Sequence, residues 1–519
     1  MENLNKSREP ARFAQGVQRF FSGVFLSRVT GLGRDLAMAY AFGAQPAVAA
    51  LIVAFRCSHL LRRFFGEGAL QAAFVPHFEA LKVKEAERAY RFFRRLTLFL
   101  FLLLVAIVLV AEGVIGLTLS CCSLSIDNRA ILTLMIWLIP TLVFICLYGI
   151  NVAFLQCHRS FFIANCAPAA CNLIWASAAL AMRGLPAARA MEALAKWIFC
   201  GVVIQWIIVM VPTVRRVKGK LGQWLTRQWY RPGREVVQLA HSVGLGALGV
   251  GAVQLNAFCD ALFARYADLS GPVYLWYAMR FYQLALAVLG IATVQTLVPA
   301  LSRSIKRGNR VEAEALFAFG FRKLTVAMLA ATAALEVLHF PIIDLVFGWG
   351  HFSQAAVAQT GLCLAVYAFG LLPTTAIMFD AAVFYAHGNF RLPVWFSLGA
   401  VVVNGALNAG FILGLDLGVV SVALATSISA WCHFLGLHFF LKKQGWRSDL
   451  QRKEWAHFIA AGVIAALVAI KGQSLLVLES KLLAFLVPAG IFGLVLLGYA
   501  LLGRNRDLQG FLKTYLGWR

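Results

Sequence analysis

The sequence predicts an all-α polytopic membrane protein with about fourteen transmembrane helices, because apolar runs of roughly 20 residues recur from end to end. Of the 519 residues, 61% are hydrophobic and only 13% are charged, whereas a soluble domain carries roughly 25% charged residues. Backbone polar groups in lipid must bond internally, and the alternation of an outer-membrane barrel is absent. Each apolar run should therefore form a helix.

We expect one helix in each run, near residues 13–42, 48–77, 92–118, 130–157, 160–182, 190–213, 236–266, 272–302, 315–347, 354–386, 392–414, 418–441, 454–470 and 482–503. The loops alternate in charge. One set is strongly basic, at Lys82 to Arg91, Arg215 to Arg234, Arg303 to Arg310 and Lys442 to Lys453. The other set is short and nearly uncharged, around Gly43, Gly271, Gly350 and Leu417.

The positive-inside rule places the basic loops, and with them both termini, in the cytoplasm. These loops account for the formal net charge of +24, which in a soluble domain would suggest nucleic acid. No nucleic-acid partner is therefore expected. The polar N-terminus is not followed by a short apolar core and a cleavage site, so we expect no cleaved signal peptide.

A short internal repeat predicts two lobes. Val75-Pro76 is followed by a basic loop and Phe93-Arg94-Arg95-Leu96-Thr97, while Val298-Pro299 is followed by a basic loop and Phe321-Arg322-Lys323-Leu324-Thr325. The copies lie six spans apart, so they face the same way, as in parallel repeats. We expect an N-terminal lobe at 1–213, a basic amphipathic linker at 214–235, a C-terminal lobe at 236–441, and two further spans with a tail at 442–519.

Ionisable residues inside the apolar runs are the strongest functional signal. Each costs about 2.5–3.5 kcal/mol at a span centre, so the arginines should face a cavity between the two pseudo-symmetric six-helix lobes rather than lipid. The candidates are Arg28, Arg34, Arg62 and Arg280, while Arg63 and Glu67 are spaced to pair on one helix face. Few carboxylates accompany them, so the cavity should be cationic and select an anion. Guanidinium groups suit phosphate oxygens.

The residues also resemble a known family, MurJ (MviN). The resemblance is dense in the first 80 residues and thin in the last 100, and rests on Ser27 to Asp35, Ala41 to Ala44, Leu60 to Arg63, Glu67 to Ala69, Ala73 to Pro76, Tyr277 to Arg280, Val298-Pro299, Phe384 to Ala386 and Pro393. It implies a lipid II flippase of the MOP exporter superfamily that works by alternating access in the bacterial cytoplasmic (inner) membrane during cell wall synthesis.

The resemblance also implies residue roles. Arg28, Arg34, Arg62 and Arg280 would bind the pyrophosphate of lipid II, the undecaprenyl-linked peptidoglycan precursor. Asp35 and Glu67, with Arg63, would form gating ion pairs, and the last two spans would form a groove for the lipid tail. A sodium site is implied, for which Asp260, Asp380 and Asn404 are the candidates. Many family members have aspartate where this chain has Ala49 and Met279.

Other classes fit less well. A related exporter of another polyprenyl-linked oligosaccharide, or a small-molecule antiporter, is the nearest alternative, but a drug exporter should carry acidic residues in its cavity. A membrane enzyme needs clustered histidines or paired acids, and the ten histidines are dispersed. We therefore expect a non-enzymatic, monomeric transporter surrounded by membrane lipids, with contacts to other cell wall synthesis proteins. It needs no cofactor beyond a coupling ion. Sodium, proton and membrane potential all remain open as the driving force.

Overall fold

The computed structural model describes residues 2–60, 62, 69–218, 251, 253–446, 452–474 and 480–502. Within these ranges, nine helices are long and apolar enough to cross a membrane, and a tenth span results if the pair Ile126–Leu138 and Thr141–Cys157, bent by 41°, is counted as one. Two shorter apolar helices, Pro46–Ser58 and Ile459–Lys471, coincide with further predicted spans. The multi-pass helical fold is confirmed, while the count of fourteen stays a prediction.

The chain divides into two compact units, Met1–Phe258 and Cys259–Arg519. The boundary falls inside a helix over residues 253–267, which we call α9. From residue 219 to 235 the predicted basic linker lies outside the described residues. The first unit contains α1 to α8, namely Glu2–Phe42, Pro46–Ser58, Ala69–Lys84, Ala86–Cys121, Ile126–Leu138, Thr141–Cys157, Phe161–Ala181 and Ala187–Lys218.

The second unit continues with α10 to α18, which are Gly271–Ala285, Ala292–Lys306, Arg310–Phe347, Gln354–Ala368, Leu371–Ala386, Arg391–Ala409, Val420–Lys443, Arg452–Ser474 and Lys481–Leu502. Two π-helical segments extend α10 and α15, at Leu286–Ile291 and Gly410–Gly414. Polar side chains start several helices by accepting a first-turn N–H: Ser125, Asn309 and Ser353 do so for α5, α12 and α13. Such caps satisfy backbone donors that the helix leaves open.

The same three-helix packing occurs in both units. In the first, α3, α4 and α6 pack against one another, and in the second α11, α12 and α14 do so. Pro76 lies inside α3 and Pro299 inside α11, as the sequence repeat requires. Aromatic rings fill both cores: Phe93 and Phe154 stack at 4.3 Å in the first unit, and Phe317 and Phe379 at 5.4 Å in the second.

The last two helices, α17 and α18, pack on each other and on α12. Lys481, the first residue of α18, holds them at one end: its Nζ is 2.8 Å from Asp344 Oδ1 and lies over the ring of Trp349. The pair is therefore an appendage of the second unit. The groove for a lipid tail that the resemblance assigns to it stays a prediction.

Candidate functional site

Arg34 is the centre of a buried polar cluster in the first unit. Its Nη2 lies 2.7 Å from Asp35 Oδ1, and its Nε donates to the same oxygen. Nη1 donates to Asn172 Oδ1 of α7 at 3.1 Å. The Asn172 amide in turn donates to the Ser27 carbonyl and the Thr30 hydroxyl of α1. The cluster thus joins α1 to α7, because Asn172 of α7 bonds both to the Arg34 guanidinium and to the backbone of α1, while Asp35 neutralises the Arg34 charge.

Aromatic rings form the other wall beside Arg34. The guanidinium lies 4.7 Å from the Trp175 ring centroid. Phe55 of α2 contacts Trp175 edge-on at 5.3 Å and stacks on His59 at 3.9 Å. His59 experiences the charges of both Arg34 and Arg62. The structure therefore brings two of the predicted arginines into one neighbourhood, where a weakly hydrated guanidinium is held by cation–π and ionic contacts.

The other predicted arginines have different surroundings. Arg28 is exposed on α1. Arg280 belongs to the second unit, is half-buried, and lies over Trp276 at 4.3 Å. Its approach to the arginines of the first unit stays a prediction. Arg63 and Glu67, predicted to pair, lie outside the described residues, so their gating role also stays a prediction.

A second buried cluster surrounds Asp260 of α9. Asn404 Nδ2 of α15 donates to Asp260 Oδ1 at 2.6 Å, and Asn408 Nδ2 donates to the same oxygen at 2.9 Å. Thr426 Oγ1 of α16 donates to Oδ2 at 3.1 Å. The carboxylate and both amides are buried. Three helices of the second unit therefore meet at one carboxylate.

The donor set of the Asp260 cluster fits a hard monovalent cation. Such ions take carboxylate, amide and hydroxyl oxygens. Asn408 Oδ1 is fully buried and has no hydrogen-bond partner among the described residues. Rotating an amide by 180° exchanges its NH2 group and its oxygen. Beside a bound cation that rotation would be favourable, because the amide oxygen would face a positive charge.

Asp380, the third predicted member of the cation site, lies elsewhere. Its Oδ2 is 3.0 Å from His438 Nδ1, and the histidine ring stacks on Phe321 at 5.1 Å. His438 and Thr426 both belong to α16 and are twelve residues apart, or about 18 Å along a helix. The structure therefore brings Asp260 and Asn404 together and places Asp380 in a separate contact.

Comparison with known proteins identifies the family. The model of the family described as "Lipid II flippase MurJ" matches residues 38–495, which is most of the chain and includes the Asp260 cluster and Asn172 of the first cluster. The chain belongs to the MurJ family. The match confirms the resemblance seen in the sequence.

Individual MurJ relatives cover most of the chain. A probable lipid II flippase MurJ of Chlamydia trachomatis is 28% identical over 95% of this chain and 94% of its own length. The lipid II flippase MurJ of Burkholderia cenocepacia is 30% identical over 85% of this chain and 86% of its own. Both alignments run through the arginine-rich first unit and the second unit, so the similarity is not confined to one lobe.

Solved structures share the fold. A lipid II flippase MurJ in an inward closed conformation superposes with a TM-score of 0.75 at 20% identity, covering 94% of this chain and 99% of that one. An inward-facing multidrug MATE transporter of the MOP superfamily gives 0.65 at 14% identity, covering 80% and 95%. The architecture is therefore that of MurJ and MATE proteins.

Several residues of the two clusters were not predicted from the sequence. Asn408 follows Asn404 by one helical turn, so the two amides share a helix face. That spacing could have predicted Asn408 as a second member of the site. No sequence pattern indicates that Asn172, Trp175 or Thr426 belongs to a cluster. Ala49, the position at which the resemblance implies aspartate, is fully buried in α2, and an alanine there contributes no charge to the first unit.

Proposed function

We propose that this chain is a transporter that flips lipid II from the inner to the outer leaflet of the cytoplasmic membrane by alternating access. The family match over residues 38–495 carries the proposal. The half-buried Arg34 and Arg62 of the first unit support it, because a pyrophosphate headgroup needs several fixed positive charges in a partly dry site. The protein acts as a monomer with both termini in the cytoplasm, and the chemistry of the lipid is left unchanged.

Arg62 and Arg28 bind the pyrophosphate directly in this proposal, with Arg280 acting on the same headgroup from the second unit. Arg34 has a different task, since Asp35 and Asn172 already hold its guanidinium. When a phosphate oxygen takes one of its N–H groups, Asp35 gives up a bond. When the phosphate leaves, Asp35 accepts that N–H again.

This exchange explains how a strongly cationic site can release its cargo. A ligand shifts a conformational equilibrium only by its differential affinity for the two states. Asp35 is an internal competitor for Arg34, so a conformation that brings the carboxylate closer weakens phosphate binding. Asp35 is therefore the gating ion-pair residue in this proposal, the role that the resemblance implies.

Sodium is the proposed coupling ion, held by Asp260 with Asn404, Asn408 and Thr426. The buried oxygens of these side chains support this assignment. The bound ion adds a positive charge among α9, α15 and α16, which in its absence are held together by hydrogen bonds to one carboxylate. The membrane potential contributes about 2.3 kcal/mol per charge per 100 mV in addition.

The test is a depletion strain in which this chain replaces the resident lipid II flippase. Access of outer-leaflet lipid II to a membrane-impermeant probe is measured after depletion. We expect the wild-type chain to restore access, Arg62→Ala and Arg28→Ala to fail, and Arg62→Lys to restore it in part. Arg129→Ala is the matched control, because Arg129 is exposed and lies far along the chain in α5.

Two outcomes would contradict the proposal in different ways. If the wild-type chain is produced in the membrane and lipid II stays inaccessible, the flippase assignment is wrong. If the wild type works and Arg28→Ala, Arg62→Ala and Arg280→Ala all work equally well, the pyrophosphate site is wrong while the assignment survives.

A further inference from the structure

A cavity of about 450 Å³ opens at one end of the first unit, between α6 and α7. It is lined by His158, Arg159, Ser160, the first three residues of α7 at Phe161–Ile163, and Arg216 of α8. The Tyr90 hydroxyl is 2.9 Å from His158 Nε2, which places the cavity beside the basic loop Lys82 to Arg91. The cavity therefore lies on the side predicted to face the cytoplasm.

Arg159 has an unusual backbone conformation. Its φ is +57°, in the left-handed region, where a side chain is disfavoured and glycine is the usual residue. The hydrogen bonds explain why this conformation is needed: Arg159 N donates to Gln156 O, and Ser160 N donates to Leu155 O. This is the Schellman motif that ends many helices, and its left-handed position usually takes glycine.

The second unit contains the same motif with glycine at the left-handed position, which allows a direct comparison. At the end of α14, Gly388 N donates to Tyr385 O and Asn389 N donates to Phe384 O, with Gly388 at φ +76°. The two helix ends thus have the same hydrogen bonds, and both follow a histidine. One uses glycine and the other arginine. A non-glycine residue in this region costs roughly 1 kcal/mol, so the arginine side chain is retained against a conformational penalty.

The surroundings indicate what that side chain binds. Arg216 adds a second guanidinium to the cavity lining, with Nη1 bonded to the Pro212 carbonyl. Glu79, the acidic group that acts on neighbouring His158, is itself paired with Lys82 at 3.5 Å. The cavity is therefore cationic, and two guanidinium groups suit phosphate oxygens.

The rim of the cavity is apolar. Phe162 and Ile163 at the start of α7 are 41% and 37% exposed. A soluble phosphate gains nothing from such side chains, whereas the glycerol and first acyl carbons of a lipid would cover them. A basic lining with an apolar rim is thus suited to a lipid whose headgroup carries a net negative charge.

We propose that this cavity binds the phosphodiester of an anionic phospholipid from the leaflet on the basic-loop side, with Arg159 and Arg216 as its ligands. The site is separate from the Arg34 cluster and does not depend on which lipid is transported. A bound headgroup would link the end of α6, the start of α7 and the end of α8, which are the elements that line the cavity.

The test uses purified, delipidated full-length protein titrated with phosphatidylglycerol or phosphatidylcholine, with retained lipid counted by native mass spectrometry. The decisive variant is Arg159→Gly, since glycine suits this backbone and the fold should remain at least as stable. We expect wild type to prefer phosphatidylglycerol, and Arg159→Gly to bind it about tenfold more weakly, the size expected for one hydrogen bond to a charged group. Arg159→Lys should retain part of the preference.

Arg183→Gly is the matched control, an exposed arginine at the opposite end of α7, and it should bind as wild type does. Arg216→Gln provides a second variant on another helix and should also weaken binding. Equal binding of the two lipids by wild type, or an unchanged preference in Arg159→Gly, overturns the proposal. Inorganic phosphate is added as a competitor: if it displaces the lipid at millimolar concentration, the cavity is a soluble-anion site and the lipid proposal is wrong.

Discussion

Each unit of the molecule buries one polar cluster among apolar helices, and the two clusters use the same three residue types. Both contain aspartate, asparagine and threonine: Asp35, Asn172 and Thr30 in the first unit, and Asp260, Thr426 and the two asparagines Asn404 and Asn408 in the second. The asparagines lie on α7 and α15, which follow the matching Schellman motifs. The asparagines therefore occupy corresponding places in the repeat, whereas Thr30 shares α1 with Asp35 and Thr426 lies on α16, apart from Asp260 on α9.

The clusters differ in what else contacts the carboxylate. In the first, the Arg34 guanidinium binds Asp35 and Asn172. In the second, Asn408 adds another uncharged amide. The first cluster thus contains a cation that is covalently part of the chain, while the second presents oxygens that suit an exchangeable ion. Under the proposed roles, the repeat has specialised: the first cluster holds a tethered charge for an anionic cargo, and the second takes an exchangeable cation for coupling.

We expect the greatest loss of stability from breaking the Arg34–Asp35 ion pair of the first cluster. Asp35→Ala leaves the largely buried Arg34 without a carboxylate, held by the Asn172 amide and the Trp175 ring, and breaking a buried pair from one side costs about 3–5 kcal/mol. The midpoint of thermal unfolding in detergent should fall clearly. The double change Arg34→Met with Asp35→Leu should recover much of the loss, because no charge is then left buried. An Asp35→Ala protein as stable as wild type would show that the Arg34–Asp35 ion pair does not contribute to the stability of the first unit.

The second cluster should show its own signature, a response to sodium. Ions that bind only the folded state stabilise it by about 1.4 kcal/mol at ten times their dissociation constant. Sodium, compared with choline at equal ionic strength, should raise the unfolding midpoint of wild type, and Asp260→Asn should abolish this shift.

Asp380→Asn is the matched control for Asp260→Asn, since Asp380 contacts His438 rather than the Asp260 cluster. It should keep the sodium response. If Asp380→Asn loses the response and Asp260→Asn keeps it, the cation site has been assigned to the wrong carboxylate.

The sequence predicts the helices better than their interruptions. Apolar runs mark where a helix must lie, because lipid leaves the backbone no other way to bond. An interruption within a span depends instead on a few residues at that point of the chain. The second predicted span is interrupted: α2 ends at Ser58 and a turn follows at His59 and Leu60. The fourth bends by 41° next to Pro140, which has no N–H to donate.

In the candidate site too, some residues could be predicted from the sequence and others could not. Arg34, Arg62 and Asp260 stand out because charge in an apolar run is costly. Their partners do not stand out. Asn172 is 138 positions from Arg34, and Thr426 is 166 positions from Asp260. Asparagine and threonine are ordinary residues in membrane helices, so only the packing of α7 on α1, and of α15 and α16 on α9, reveals their role.

A small restored response to sodium would show most directly how the two clusters are related. Removing the tethered cation with Arg34→Ala leaves Asp35, Asn172 and Thr30, an oxygen set like that of the second cluster. In the Asp260→Asn background, where the sodium response is lost, adding Arg34→Ala should restore a weak one. The expected stabilisation is about 0.4 kcal/mol at a sodium concentration equal to the dissociation constant, and it is measured as the same shift in unfolding midpoint.

The control for this restored response is a third change, Asp35→Asn, which removes the carboxylate and should abolish it again. A restored sodium-dependent shift in the unfolding midpoint that disappears with Asp35→Asn would show that the two clusters share one arrangement, in which Arg34 takes the place of a bound ion. If Arg34→Ala restores nothing while the protein stays folded, the shared residue types are insufficient. The additional amide of Asn408 would then be the feature that makes the second cluster a cation site, and Asn408→Ala alone should remove the sodium response of the wild type.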